Sequence, residues 1–296
     1  MIESSQSVSI VSFIDSGHTE RSLTISHIFQ KGTNLMTTAT FKKRLATAAM
    51  AAMALVGGVT ASTTVATAAP ANNLVTFGDS YARMPQKSHI PELMGKAIGA
   101  NVRDFAVPGA TARSLNHSSA KSQVDAALRA GALNKGTTHV AMIIGGNDVA
   151  GFGGTTSKVL HPILNSTLGP QVARIKSAAP NAKISLIGYP RITSANGDIC
   201  AISVGGQPIK MSSHLNYIHN AEMDINHAQR AFARQHGIQF IDLKPASTGH
   251  DMCAPLSTRY VDALLPLGPD AVNMAPIHPS PLGQHFIANE YARQVR

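Results

Sequence analysis

The sequence contains no tryptophan, its aromatic content is 5%, and its 296 residues include two cysteines. So few aromatics leave little for a carbohydrate-stacking platform. Two cysteines exclude a disulfide-dense miniprotein, and neither stands in a C-x-x-C or zinc-ligand spacing. Charged residues make up only 14%, with Lys+Arg 25 against Asp+Glu 16, a net charge of +9. That excess is dispersed: no run of five or six basic residues and no aromatic-interleaved basic stripe occurs, which argues against a nucleic-acid partner. It is expected to favour solubility and a weak attraction to an anionic cell envelope. The mononucleotide signature G-x-x-x-x-G-K-[ST] is absent, and no G-x-G-x-x-G opens a helix. What is present, 44% hydrophobic residues, is ample for a globular core and excludes a disordered chain.

The amino-terminal part reads as an address. Lys42, Lys43 and Arg44 form a compact basic region, and Leu45–Val59 is a run of 15 apolar or small residues. That is shorter than the roughly 20 residues of a membrane span, but fits the core of a secretory signal peptide. Ala66-Thr67-Ala68 supplies an A-x-A cleavage pattern, with Ala69-Pro70-Ala71 as a second candidate. The expectation is a signal peptide over 36–68, started at Met36. Residues 1–35 do not fit it and are expected to be no part of the translated protein, or disordered. The remainder, 69–296, keeps 20 basic and 13 acidic residues. Export also interprets the cysteines: Cys200 and Cys253, an even number outside the cytosol, are expected to pair. The bridge would close a loop of about 50 residues and contribute about 4 kcal/mol by the loop-entropy model.

From residue 74 onward, short apolar runs alternate with helical patterns. Leu74–Phe77, Val102–Val107, His139–Ile144, Lys183–Gly188 and Ile238–Leu243 read as strands. Helical spacing falls at Pro91–Ile98, Lys121–Ala130, Ser157–Ala179, within Ser212–His236, and at Leu282–Val295. Strands apolar on both faces, separated by helices, predict a single α/β domain with a five-stranded parallel sheet covered on both sides. In such a sheet the ligand site lies beyond the carboxyl ends of the strands.

Three of those ends carry chemistry. The first strand runs into Gly78-Asp79-Ser80, the second into Val107-Pro108-Gly109, and the third into Gly145-Gly146-Asn147-Asp148; a late Ile277-His278-Pro279 follows. Together they supply an acyl-transfer site. Ser80 is the candidate nucleophile, since a serine hydroxyl attacks only when an imidazole takes its proton, and His278 is the candidate base. The Ser80 and Gly109 backbone N–H groups and the Asn147 carboxamide are the candidate oxyanion hole. Taken singly each piece has a plainer explanation: a helix cap at Ser80, a turn at Gly109, an Asx-turn or N-cap at Asn147-Asp148. Their order at successive strand ends is what selects catalysis.

Those four blocks, Gly78-Asp79-Ser80, Gly109, Gly145-Gly146-Asn147-Asp148 and His278-Pro279, resemble the SGNH (GDSL) family of serine esterases and lipases, and the resemblance spans essentially all of 69–296. Gly151-Phe152 and Gly249-His250-Asp251-Met252-Cys253 resemble its secreted bacterial branch. The resemblance implies a flavodoxin-like fold, ester hydrolysis through an acyl-serine, and neither metal nor organic cofactor. No G-x-S-x-G elbow surrounds Ser80, unlike the α/β-hydrolases. One position departs from the family, which usually places an acid three residues before the histidine. Here that residue is Ala275, so its main-chain carbonyl is the first candidate to orient His278, and Asp270 the second. Asp79 is expected to order the nucleophile turn, Asp148 to fix the loop aiming Asn147, and His250 to serve a loop near the disulfide. Short to medium acyl esters are the expected substrates of a monomeric, secreted enzyme. Deacetylation of envelope glycan, nucleotide binding by the glycine-rich strand ends, and a non-catalytic envelope-binding module are the alternatives.

Overall fold

The computed structural model describes residues 72–84, 88–113, 118–150, 156–211, 216–268 and 276–296. The expected signal peptide, the segment before it, Gly151-Phe152, Asp270 and Ala275 lie outside the described residues. The main sheet is built from β1 (Asn72–Gly78), β2 (Ala100–Asp104), β3 (His139–Ile143), β4 (Lys183–Ile187) and β5 (Gln239–Ile241). Its spatial order is β2-β1-β3-β4-β5, and every pair is parallel. Among the described residues six helices connect or flank these strands: α1 (Ile90–Ile98), α2 (Ala120–Arg129), α3 (Gly146–Ala150), α4 (Ser157–Ala178), α5 (Asn216–Gln235) and α6 (Pro281–Val295). This is the α/β architecture with a covered parallel sheet that the alternation implies, in the flavodoxin-like form that the resemblance implies. All five residues of β3 are buried, as a strand covered on both faces requires, while edge strand β2 is half-exposed throughout.

The strand order reverses between β1 and β3. Chain connections leave these neighbours in opposite directions, so a crevice opens at their carboxyl ends. Ser80 follows β1 and Asn147 follows β3, which puts both at that crevice. Gly78, the last residue of β1, is there because the strands crowd: a Cβ at this position would meet the Ile143 carbonyl oxygen at 2.6 Å and Ala82 Cβ at 2.8 Å. Helix ends are fixed locally. Ser119 Oγ accepts from the Ser122 N–H to cap α2, and Ser280 Oγ accepts from the Gly283 N–H to cap α6, with Pro281 opening that helix.

The structure differs from the sequence expectation in several places, among them a fifth strand confined to Gln239–Ile241. The second strand ends at Asp104 rather than Val107, although the Phe105 and Val107 N–H groups still donate to β1. Gly146–Ala150 forms a short helix where a turn or cap was the alternative. A second, three-stranded sheet joins Ile199–Val204 to the antiparallel Gln207–Met211 and the parallel Leu265–Leu267. Its hairpin turns at Gly205 and Gly206, both at positive φ (55° and 78°), a two-residue connection that glycine adopts without strain. Cys200, in the first of these strands, is bonded to Cys253 as expected, across 53 residues of chain.

Candidate active site

The turn after β1 is organised by Asp79, whose side chain is buried. Its Oδ1 accepts from the Tyr81 N–H at 2.9 Å and its Oδ2 from the Tyr189 hydroxyl at 2.5 Å. The Tyr189 oxygen in turn accepts from the Gly146 N–H at 2.8 Å. Asp79 thus ties the turn that carries Ser80 to the loop that carries Asn147. Burial pushes its carboxyl up to about 7, against the opposing hydrogen bonds from Tyr189 and Tyr81. From the other side, Gln123 on α2 grips the end of β1, accepting from the Gly78 N–H and donating to the Gly78 carbonyl, both at 2.8 Å.

His278 reaches Ser80 from 198 residues away along the chain: its Nε2 stands 2.7 Å from Ser80 Oγ. Its Nδ1 stands 2.6 Å from the Pro276 carbonyl oxygen. A carbonyl can only accept, so Nδ1 carries the proton and the bare Nε2 faces the serine hydroxyl. Among the described residues the group that orients the ring is therefore the Pro276 main-chain carbonyl; the expected Ala275 and Asp270 lie outside them. Ile277, at φ 57°, turns the chain back on itself and sets a single residue between this carbonyl and the ring.

A left-handed β-branched residue is strained by about 1–3 kcal/mol and persists only when its surroundings hold it. Here they do. The Ile277 N–H donates to the Asp262 carbonyl at 3.2 Å, the Asp262 N–H donates to the His278 carbonyl at 2.9 Å, and Val261 bridges Pro279. The Tyr81 hydroxyl donates to the Ile277 carbonyl at 2.6 Å, and its ring lies 5.2 Å from the imidazole. Burial depresses the His278 imidazolium below the usual histidine value, opposed only by the Pro276 carbonyl.

Gly109 sits at φ 75°, a conformation glycine adopts freely, and the space a Cβ would occupy there is open. Asn147 uses one N–H of its carboxamide on the Ala110 carbonyl, at 2.8 Å, which fixes the group beside the Gly109 turn and leaves its second N–H. Asp148 holds these two loops together. Its carboxylate accepts from the Ala112 N–H at 2.7 Å and from the Arg113 N–H and Nε at 3.2 Å, while the Arg113 guanidinium also reaches the Asp148 carbonyl at 2.9 Å. His250, as expected, serves its own loop. Its Nδ1 lies 2.6 Å from the Thr258 carbonyl, and its ring stacks on Tyr260.

Ser80, Asn147 and His278 open into one cavity of about 260 Å³. Apolar side chains form most of its wall: Val149 after the Asn147 block, Ile192 after β4, and Ile218, Ala221 and Ile225 along α5. Glu222 lies among them but is already occupied, accepting from the Ile192 and Thr193 N–H groups, the Thr193 hydroxyl and Lys244 Nζ. Burial opposes its charge, yet Lys244 and Thr193 outweigh that and hold its carboxyl below the usual range. Gly109 stands outside this lining, joined to it through Ala110. Among the described residues no group of three or more His, Cys, Asp or Glu could hold a metal ion.

Sequence reasoning did not find Tyr81, Tyr189, Gln123 or Glu222. Only Tyr81 had a signal, its place next to Ser80. The others join the site through contacts 45 to 110 residues distant along the chain or through a pocket wall.

Residues 76–286 match the GDSL-like lipase/acylhydrolase family. Lipase 2 of Streptomyces coelicolor is 24% identical over a match covering 83% of this chain and 95% of that protein. Lipase 1 of the same organism is 30% identical over 69% of this chain and 81% of that protein. Among solved structures, phospholipase A1 from Streptomyces albidoflavus superposes with a TM-score of 0.55 at 21% identity, over 76% of this chain and 100% of that one. The extracellular lipase from Streptomyces rimosus gives 0.52 at 21% identity, with the same coverage. The chain belongs to the GDSL-like lipase/acylhydrolase family and is an ester hydrolase of the SGNH type.

Proposed function

We propose that the protein hydrolyses carboxylic acyl esters through an acyl-Ser80 intermediate, with a Ser80–His278 dyad as the catalytic pair. The observation that carries this is the 2.7 Å approach of Ser80 Oγ to an imidazole nitrogen whose opposite nitrogen is committed to a carbonyl. His278 Nε2 takes the hydroxyl proton as Ser80 Oγ bonds to the ester carbonyl carbon. The charge that develops on the carbonyl oxygen is met by the Ser80 and Gly109 N–H groups and the second N–H of Asn147. The imidazolium then returns its proton to the leaving alcohol, and the acyl group stays on Ser80. In the second half, His278 deprotonates water, which attacks the acyl carbon and releases the acid and the free serine. The Pro276 carbonyl keeps the Nδ1 proton in place through both halves.

The apolar wall along α5 receives the acyl chain, and at about 260 Å³ the cavity suits short to medium chains. Export supports the same reading. The 36–68 segment has the make-up of a signal peptide, the disulfide suits an oxidising compartment, and one structural neighbour is named an extracellular lipase. No helix of the described residues is long and apolar enough to cross a membrane. The test is turnover of p-nitrophenyl esters from acetate to decanoate by the purified protein. Activity that falls by at least about 10³-fold in Ser80→Ala supports the proposal. Equal turnover by wild type and variant overturns it.

A further inference from the structure

Irregular backbone beside a cavity must find partners for its N–H groups, and the partner it finds decides where its side chains stand. Residues 188–198, between β4 and the second sheet, form no helix or strand, yet Ile192 within them is part of the wall of the Ser80 cavity. Another part of that wall is α5, through Ile218, Ala221 and Ile225. Ile192 and Ile218 also pack on one small core of Ile199, Cys200 and Met252.

A single carboxylate joins the two parts. Glu222 stands on α5 four residues after Ile218 and three before Ile225, a spacing that sets the three on one helix face. Its Oε1 accepts from the Ile192 N–H at 3.1 Å, and its Oε2 from the Thr193 N–H at 3.0 Å and the Thr193 hydroxyl at 2.8 Å. That hydroxyl has one proton to give, so its oxygen accepts from His219 Nδ1 at 2.7 Å, a second tie to α5. Lys244 Nζ, three residues past β5, donates to Glu222 Oε1 at 2.5 Å and to the Pro190 carbonyl at 3.0 Å. The same segment is thereby held from a third element. Glu222 and Lys244 are 2% and 4% exposed.

A buried ion pair is a poor device for stability, since well-packed apolar residues of similar volume serve as well or better. What it supplies here is acceptor capacity. Four donors converge on two oxygens, and glutamine, with one carbonyl oxygen and an amide that only donates, cannot receive them all. These bonds go to the wall of the cavity rather than to Ser80 or His278, so they bear on what the cavity accepts more than on the chemistry every ester shares.

We propose that Glu222, paired with Lys244, is a positioning residue for the acyl chain: it fixes Ile192 and α5 as one wall and so sets which chain lengths the enzyme prefers. The inference rests on the ester-hydrolase reading of the Ser80 site. Its test compares p-nitrophenyl acetate with the longest p-nitrophenyl ester that the unaltered enzyme turns over, each variant being assayed at a temperature where its unfolding curve shows it folded. In Glu222→Gln, kcat/KM for the long ester should fall at least about ten-fold relative to acetate, through KM rather than kcat. If that variant does not fold, Thr193→Val reads the same wall: it removes one donor, and the expected relative loss is about three-fold, restored by Thr193→Ser. Equal factors for both esters, as a general loss of stability gives, overturn the proposal, and so does an unaltered preference. Turnover of acetate alone by the unaltered enzyme also overturns it, because no chain then reaches the wall. No turnover of any ester by the unaltered enzyme defeats the hydrolase reading itself, and this proposal with it.

Discussion

The Tyr81 hydroxyl donates to the Ile277 carbonyl at 2.6 Å, so the residue after Ser80 holds the residue before His278. Ser80 and His278 are therefore joined twice, once through their own hydrogen bond and once through their neighbours. Tyr81→Phe keeps the ring contacts with Tyr189 and His278 and removes the hydroxyl that makes the second tie. Because the left-handed Ile277 turn loses a restraint, the imidazole should sample positions off the serine. The expected result is a kcat roughly ten-fold lower with little change in KM, and about 1 kcal/mol of lost stability. Steady-state kinetics and urea unfolding check both.

The pH profile follows from the carbonyl partner. The proposed base works only when neutral, and burial holds the His278 imidazolium below its usual value of 6.5, with no carboxylate among the described residues to raise it. kcat/KM should rise with pH through a midpoint below 6.5 and be flat by neutrality. A midpoint at or above 7 would indicate a carboxylate against the ring.

Asp148 is predicted to matter to structure and catalysis together. It is fully buried and ion-paired with Arg113, so Asp148→Ala takes the carboxylate from the guanidinium and strands two N–H donors at the junction of the Gly109 and Asn147 loops. Loss of one partner of such a buried pair costs about 3–5 kcal/mol. Thermal unfolding should fall accordingly. At temperatures where the variant remains folded, kcat should drop more than KM rises, because the oxyanion donors are displaced.

The parts legible in sequence were those written at strand ends. Gly78-Asp79-Ser80 and Asn147-Asp148 sit where apolar runs stop, and parallel-sheet topology brings such places together without any knowledge of side-chain contacts; His278-Pro279 was legible from its order after them. The identity of the orienting carbonyl was not legible, because it depends on a positive φ at Ile277, a residue type that seldom adopts one. The grip of Gln123 on Gly78 and the Tyr189–Asp79 bond were hidden for another reason: each is a single long-range contact with no local pattern. The Gly205-Gly206 hairpin did carry a local signal, two short apolar runs around a glycine pair, but falls outside the helix–strand alternation that organised the rest.

Labelling by a fluorophosphonate probe, followed by peptide mass analysis, reads the dyad most directly. The account predicts one adduct, on Ser80, absent in Ser80→Ala and formed at least about 10³-fold more slowly in His278→Ala. Attachment at another serine, or full-rate labelling without the imidazole, would contradict it.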